Sequence, residues 1–133
     1  MQYLLDTNIC IYIIKKRPAE VFEKFKTLQP GSLAISAVTF AELLYGVMKS
    51  AHPQKNQTAL EKFTTPLEVL DFDGPACIEY GRIRAHLEKQ GTPIGSLDTL
   101  IAAHALSRNL TLVTNNLKEF IRVPSLKVEN WVI

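Results

Sequence analysis

At 133 residues the chain has the length of one domain and can bury a substantial core. Its hydrophobic fraction of 47% and charged fraction of 21% exclude a disordered arm. Fifteen lysines and arginines against 13 aspartates and glutamates leave a net charge of +2, too little to diagnose a nucleic-acid binder, although Lys15-Lys16-Arg17 and Arg82-x-Arg84 permit a polyanionic partner.

The opening run MQYLLDTNICIYIIKK is apolar, but Asp6 interrupts it and its basic residues follow rather than precede. That is the wrong order for a signal peptide, and the run is too short for a membrane span, so a cytoplasmic location without membrane contact is expected. Residues 2–5 read as a buried strand stopped by Asp6-Thr7-Asn8, with Asn8 as cap for the next helix. Pro18 opens a second helix to about residue 28, Pro30-Gly31 is a turn, and residues 32–35 form a second strand. Ser36 caps a helix with an apolar stripe at Val38, Ala41, Tyr45 and Met48.

A polar helix over 53–64 leads to a strand at 67–70. The longest helix covers 73–90, with Ile78, Ile83 and Leu87 inside and Gly91 ending it. Ser96 caps a central helix, LDTLIAAHAL, to about residue 108, and residues 111–114 make a β-branched strand broken by Asn115-Asn116. A last short strand lies near 127–129. Strands alternating with helices define an α/β domain, a parallel sheet between helical layers, spanning 1–133 without repeat or linker. Cys10 and Cys77 lack zinc spacing and are expected as two buried thiols in a reducing cytosol.

Functional groups of a parallel sheet gather at the carboxyl ends of its strands. Asp6 ends the first strand, Asn116 follows the fourth, and Asp98 lies in the first turn of its helix, where the macrodipole favours an ionised carboxylate. Glu42 sits among Phe40, Ala41, Leu43 and Leu44, where a carboxylate is costly unless paired or metal-bound. Each alone is also what a turn, a cap or a boundary position would choose. Crowded together they need a cation, and Mg²⁺ or Mn²⁺ takes such oxygen ligands and supports phosphoryl chemistry.

The segments LLDTNICIYIIK, ISAVTFAELLYG, IGSLDTLIAAHAL and LVTNNLKEFIRVPSLKVENW resemble those of PIN-domain ribonucleases, specifically the VapC toxins of type II toxin–antitoxin pairs. The resemblance implies an α/β/α fold and a catalytic set of Asp6, Glu42, Asp98 and Asn116, with Asp6 and Asp98 holding Mg²⁺ or Mn²⁺. Family members often carry an aspartate where Asn116 stands. Glu119, one helical turn on, is a candidate substitute, the alternative being an exposed acid. Thr7 and Thr114 place hydroxyls beside the acids. The family also has glycine at Gly46, although glycine within a helix costs about 1 kcal/mol against alanine.

The resemblance further implies cleavage of RNA, with tRNA as the first expected substrate, a homodimer, and neutralisation by a small VapB-type antitoxin. An apolar groove walled by Ile13, Val21 and Phe25 is the expected antitoxin seat. Two other readings stay open. A phosphatase using an aspartyl nucleophile would need an acid at position 8, which is Asn8. A catalytically weak RNA-binding or regulatory module is favoured by Asn116. His52, His86 and His104 lack the HExxH spacing, and His104 reads as a hydrogen-bonded helix histidine.

Overall fold

The computed structural model describes residues 1–133. Its strands are β1 (Tyr3–Leu5), β2 (Leu33–Ser36), β3 (Glu68–Leu70), β4 (Thr111–Val113) and β5 (Val128–Glu129). They form one sheet in the order β3-β2-β1-β4-β5, parallel throughout, with Leu4 opposite Ala34 on one side and Leu112 on the other. The helices are α1 (Thr7–Lys15), α2 (Ala19–Lys26), α3 (Ala37–Met48), α4 (Pro53–Thr64), α5 (Gly74–Lys89), α6 (Ser96–Ser107) and α7 (Leu117–Phe120). None is long and apolar enough to cross a membrane.

Alternation along the strands divides the core in two. Tyr3, Leu5, Leu33, Ile35 and Val113 face Ile9 and Ile13 of α1, Leu43 and Val47 of α3, and Leu60 and Phe63 of α4. Leu4, Ala34, Leu70 and Leu112 face the other way, onto Ile83 and Leu87 of α5 and Ile101, Ala102 and Ala105 of α6. A parallel sheet covered on both faces explains why its strands read as continuous apolar runs. The α/β/α expectation is met.

Helix ends follow local chemistry, with two corrections. Asp6, not Asn8, caps α1: its Oδ1 accepts from the Ile9 N–H at 2.9 Å. Ser96 lies inside α6, whose cap position is Gly95 and has no side chain to offer. Ser36 does cap α3, accepting from Val38 N–H at 3.0 Å. Gly91 (φ 73°) stops α5 in a Schellman turn, with Gly91 N–H donating to Glu88 O (3.1 Å) and Thr92 N–H to Leu87 O (2.9 Å).

Two helix faces also depart from expectation. The buried face of α3 is Thr39, Leu43 and Val47, whereas Tyr45 and Met48 are 63% and 71% exposed. Almost every residue of α3 is apolar, so the sequence leaves the phase of the stripe open and the sheet decides it. On α5, Ile83 and Leu87 are buried with Ala76, while Ile78 lies off that stripe and is exposed. Cys77 shares its outer face and is exposed too; only Cys10 is a buried thiol.

Candidate active site

The chain builds the sheet outward from β1 through β2 to β3, then returns to add β4 and β5 on the other side of β1. Connections leaving β1 and β4 therefore diverge, and at such a switch point the carboxyl ends of the strands open a crevice. Here it is a cleft of ≈ 430 Å³ whose lining includes Asp6, Thr7, Asn8, Glu42, Ser96 and Asp98. The three acids singled out from the sequence thus share one space, contributed by the β1 end, α3 and α6.

Asp6 is fixed twice. Its N–H donates to Val113 O at 3.0 Å, extending the sheet register, and its carboxylate caps α1. It is 5% exposed, and burial raises its pKa above the ordinary value, opposed by the Thr114 hydroxyl and by the N–H groups of Ile9 and Asn8. Glu42 is half-buried on α3, beside buried Leu43. Thr39, one turn before it, is fully buried, and its hydroxyl lies 3.5 Å from that of Thr7. That contact joins the first turns of α1 and α3; Thr39 was not evident from the sequence, because it stands in an otherwise apolar run.

Asp98 occupies the first turn of α6 and accepts from Asn116 Nδ2 at 3.3 Å. The helix dipole does not decide its charge. Burial, then the facing Glu119 carboxyl, then Asp6, push its pKa up to about 7, with Asn116 pulling the other way. Asn116 holds itself in place through its own N–H, which donates to Thr114 Oγ1 at 2.9 Å. It orients Asp98 from the edge of the cleft.

Glu119 is not an exposed acid. It is half-buried on α7, its pKa held down first by Asp98 and further by the Gly95 backbone, Arg122 and Asn116. Its Oε2 is shut off from solvent and has no hydrogen-bond donor. Two carboxyls facing each other this way require either a shared proton or a cation. The signal in the sequence was spacing: Glu119 is three residues from Asn116, one turn along the short α7.

No group of three or more His, Cys, Asp or Glu side chains converges into a ready cage for a metal. The donors are instead carboxylates spread around an open cleft, with one buried oxygen unmatched. Hard oxygen donors, one or two to an ion with water completing the shell, suit Mg²⁺ or Mn²⁺ and not a soft or tetrahedral metal. The residues present fit such a cation.

Of the three residues expected to wall a groove, Ile13 and Val21 are 3% and 0% exposed and belong to the core, and half-buried Phe25 packs against it. An apolar groove of ≈ 340 Å³ runs instead between α1, α3 and α4, lined by Ile11, Ile14, Leu43, Val47 and Leu60, and Glu42 belongs to both groove and cleft. His104 is a buried helix histidine as anticipated: its Nδ1 is 2.7 Å from Ser36 Oγ, and its ring meets Phe72 edge-on at 5.2 Å.

The family model described as "PIN domain" matches residues 3–126. The "tRNA(fMet)-specific endonuclease VapC" of Shigella flexneri is 48% identical over 131 residues, covering 98% of each chain. Among solved structures, DNA-bound VapBC from Salmonella typhimurium aligns with a TM-score of 0.94 at 45% identity over 99% of both chains. VapBC2 from Rickettsia felis, bound to a DNA fragment from its promoter, gives 0.93 at 46% identity over 99% of this chain and 100% of that one. The fold is therefore that of a PIN domain. Within that class the chain belongs to the VapC family of ribonucleases.

Proposed function

We propose that residues 1–133 act as a single-domain toxin of a type II toxin–antitoxin pair, a divalent-metal-dependent endoribonuclease that hydrolyses tRNA and is neutralised by a VapB-type antitoxin. The observation that carries the reading is the switch-point cleft: Asp6, Glu42 and Asp98 line it, and Glu119 faces Asp98 with an unmatched buried oxygen. The named substrate of the Shigella flexneri relative supports tRNA, and the solved VapBC complexes support the antitoxin. A cytoplasmic homodimer completes the proposal.

Asp6 and Asp98 are the residues that would hold Mg²⁺ or Mn²⁺, with Glu119 standing in for the fourth acid at the position where Asn116 carries no charge. When bound, the cation screens the carboxylates from one another and supplies Lewis-acid stabilisation of the phosphate charge. Glu42 orients a water at the cleft wall and accepts its proton as the water oxygen bonds to phosphorus and a bridging P–O bond breaks, the departing ribose oxygen taking a proton from solvent. Thr7 and Asn8, exposed to the same space, donate hydrogen bonds to phosphate oxygens. Asn116 keeps the Asp98 carboxylate in one orientation.

The test is cleavage of unfractionated tRNA by the purified protein. Activity in Mg²⁺ should stop with EDTA and fall by more than about a hundredfold in Asp98→Asn, a loss that even outer partners of metal ligands can approach. A fully active Asp98→Asn protein would sink the scheme. The alternative, an RNA-binding module with little turnover, draws on Asn116; tRNA binding without any metal-dependent cleavage would establish it.

A further inference from the structure

A third concavity, of ≈ 220 Å³, lies between α5 and the connection that leads into α6. Tyr80, Arg84 and Leu87 form its α5 wall, and Pro93, Ile94 and Ser96 the other. Ser96 also lines the acid cleft, two residues before Asp98, so the two spaces adjoin at the start of α6. We propose that this cavity is a nucleotide subsite that seats one unpaired base of the RNA beside the scissile phosphate. It rests on the ribonuclease reading above and adds to it where the substrate is gripped.

The lining chemistry is that of a base rather than a phosphate. Arg84 is held at two points: Nε donates to Glu88 Oε2 at 3.1 Å, and Nη1 to Tyr80 Oη at 2.9 Å. Its guanidinium lies 6.0 Å from the centre of the Tyr80 ring. Glu88 cancels the arginine's charge, so the cavity presents a fixed planar group and an aromatic ring instead of a net positive field. Unstacked bases are bound on such surfaces, against aromatic rings or arginine planes, with hydrogen bonds at their edges. Tyr80 and Ser96 supply hydroxyls for the edge of a base, while Leu87, 2% exposed, belongs to the core beneath.

Electrostatics give the strand a direction. Arg122 donates to Pro93 O at 3.0 Å and also acts on Glu119, so it carries a positive charge between this cavity and the acids. A sugar–phosphate linking a seated base to the cleft needs such a charge beside the carboxylates. The groove on the Glu42 side is apolar by contrast and offers no equivalent.

The experiment measures steady-state cleavage of unfractionated tRNA by wild-type protein and by Tyr80→Leu, Arg84→Gln and Arg84→Lys, with folding checked by circular dichroism. Arg84 is exposed on α5, whereas Tyr80 is half-buried and packs against the core, so the folding check bears chiefly on Tyr80→Leu. Loss of a stacked base should raise KM about tenfold, the scale of one stacking contact, with the loss falling on KM rather than kcat. Arg84→Lys keeps the charge but not the plane and should share the defect; full rescue by lysine would overturn the base assignment.

A second arm uses short RNA oligonucleotides from the cleaved region with one base at a time removed to leave ribose. One abasic position should weaken cleavage by wild type and cost Tyr80→Leu nothing further. Equal abasic penalties in both proteins would overturn the subsite, as would unchanged KM in all variants. Weakened antitoxin binding with unchanged KM would assign the cavity to protein instead. If wild type cleaves no RNA, the ribonuclease reading itself fails; intact wild-type cleavage with flat variants removes the subsite alone.

Discussion

Asp6 performs two tasks that a single substitution confounds. Its charge belongs to the cleft, while its side-chain oxygen closes the N-terminus of α1 at 2.9 Å. Asp6→Asn keeps a capping oxygen and should remove cleavage with little change in stability. Asp6→Ala should remove cleavage and also lower unfolding free energy by about 1 kcal/mol, the usual value of a lost cap. Urea denaturation of the two variants beside their tRNA cleavage separates the roles; equal stability would mean that the cap contributes nothing. The other residues of the site were unequally legible. Asp6, Glu42 and Asp98 could be read because each is a carboxylate next to a strand end or inside an apolar run. Glu119 was harder, because α7 is only four residues long and so short an element leaves no periodic pattern to fix which way its acid points.

Between elements, one buried hydrogen bond ties the two helical layers across the end of the sheet. Ser36 ends β2, caps α3 and meets His104 of α6 at 2.7 Å, so the helix bearing Glu42 and the helix bearing Asp98 share a fastening. Burial lowers the His104 pKa and keeps the ring neutral, the form in which Nδ1 can accept from the serine hydroxyl. Ser36→Ala removes the cap and strands the ring nitrogen. It should cost about 2 kcal/mol, combining a cap with a buried polar group left unpaired, and chemical denaturation reads it directly. Almost all the elements were evident in the sequence, since turn residues and caps punctuate them. The facing of α3 was not, because a helix apolar on every side carries no phase. Nor was the strand order, since adjacency of β1 and β4 arises from a crossover that local patterning does not encode.

At the scale of the whole molecule, the acids make stability depend on pH and metal together. Asp98 titrates near 7 in the folded chain against an ordinary 3.8, so between those values the folded state holds a proton that the unfolded state has lost. Stability without metal therefore falls as pH rises through that window and the penalty is complete above about 7; the raised pKa of Asp6 adds the same sign. A cation that neutralises the carboxylates lifts the penalty. Thermal denaturation should show a larger gain in Tm from Mg²⁺ over EDTA at pH 7.5 than at pH 5, and equal gains would refute the linkage. The crossover that opens the cleft has one more consequence, in the order of synthesis. Asp6 and Glu42 arrive with the half of the sheet made first, whereas Asp98 and Glu119 arrive with the half made last. A nascent chain that has delivered only β1 to β3 holds two acids without their partners. The ribosome can thus build most of this enzyme before any of it is able to cut RNA.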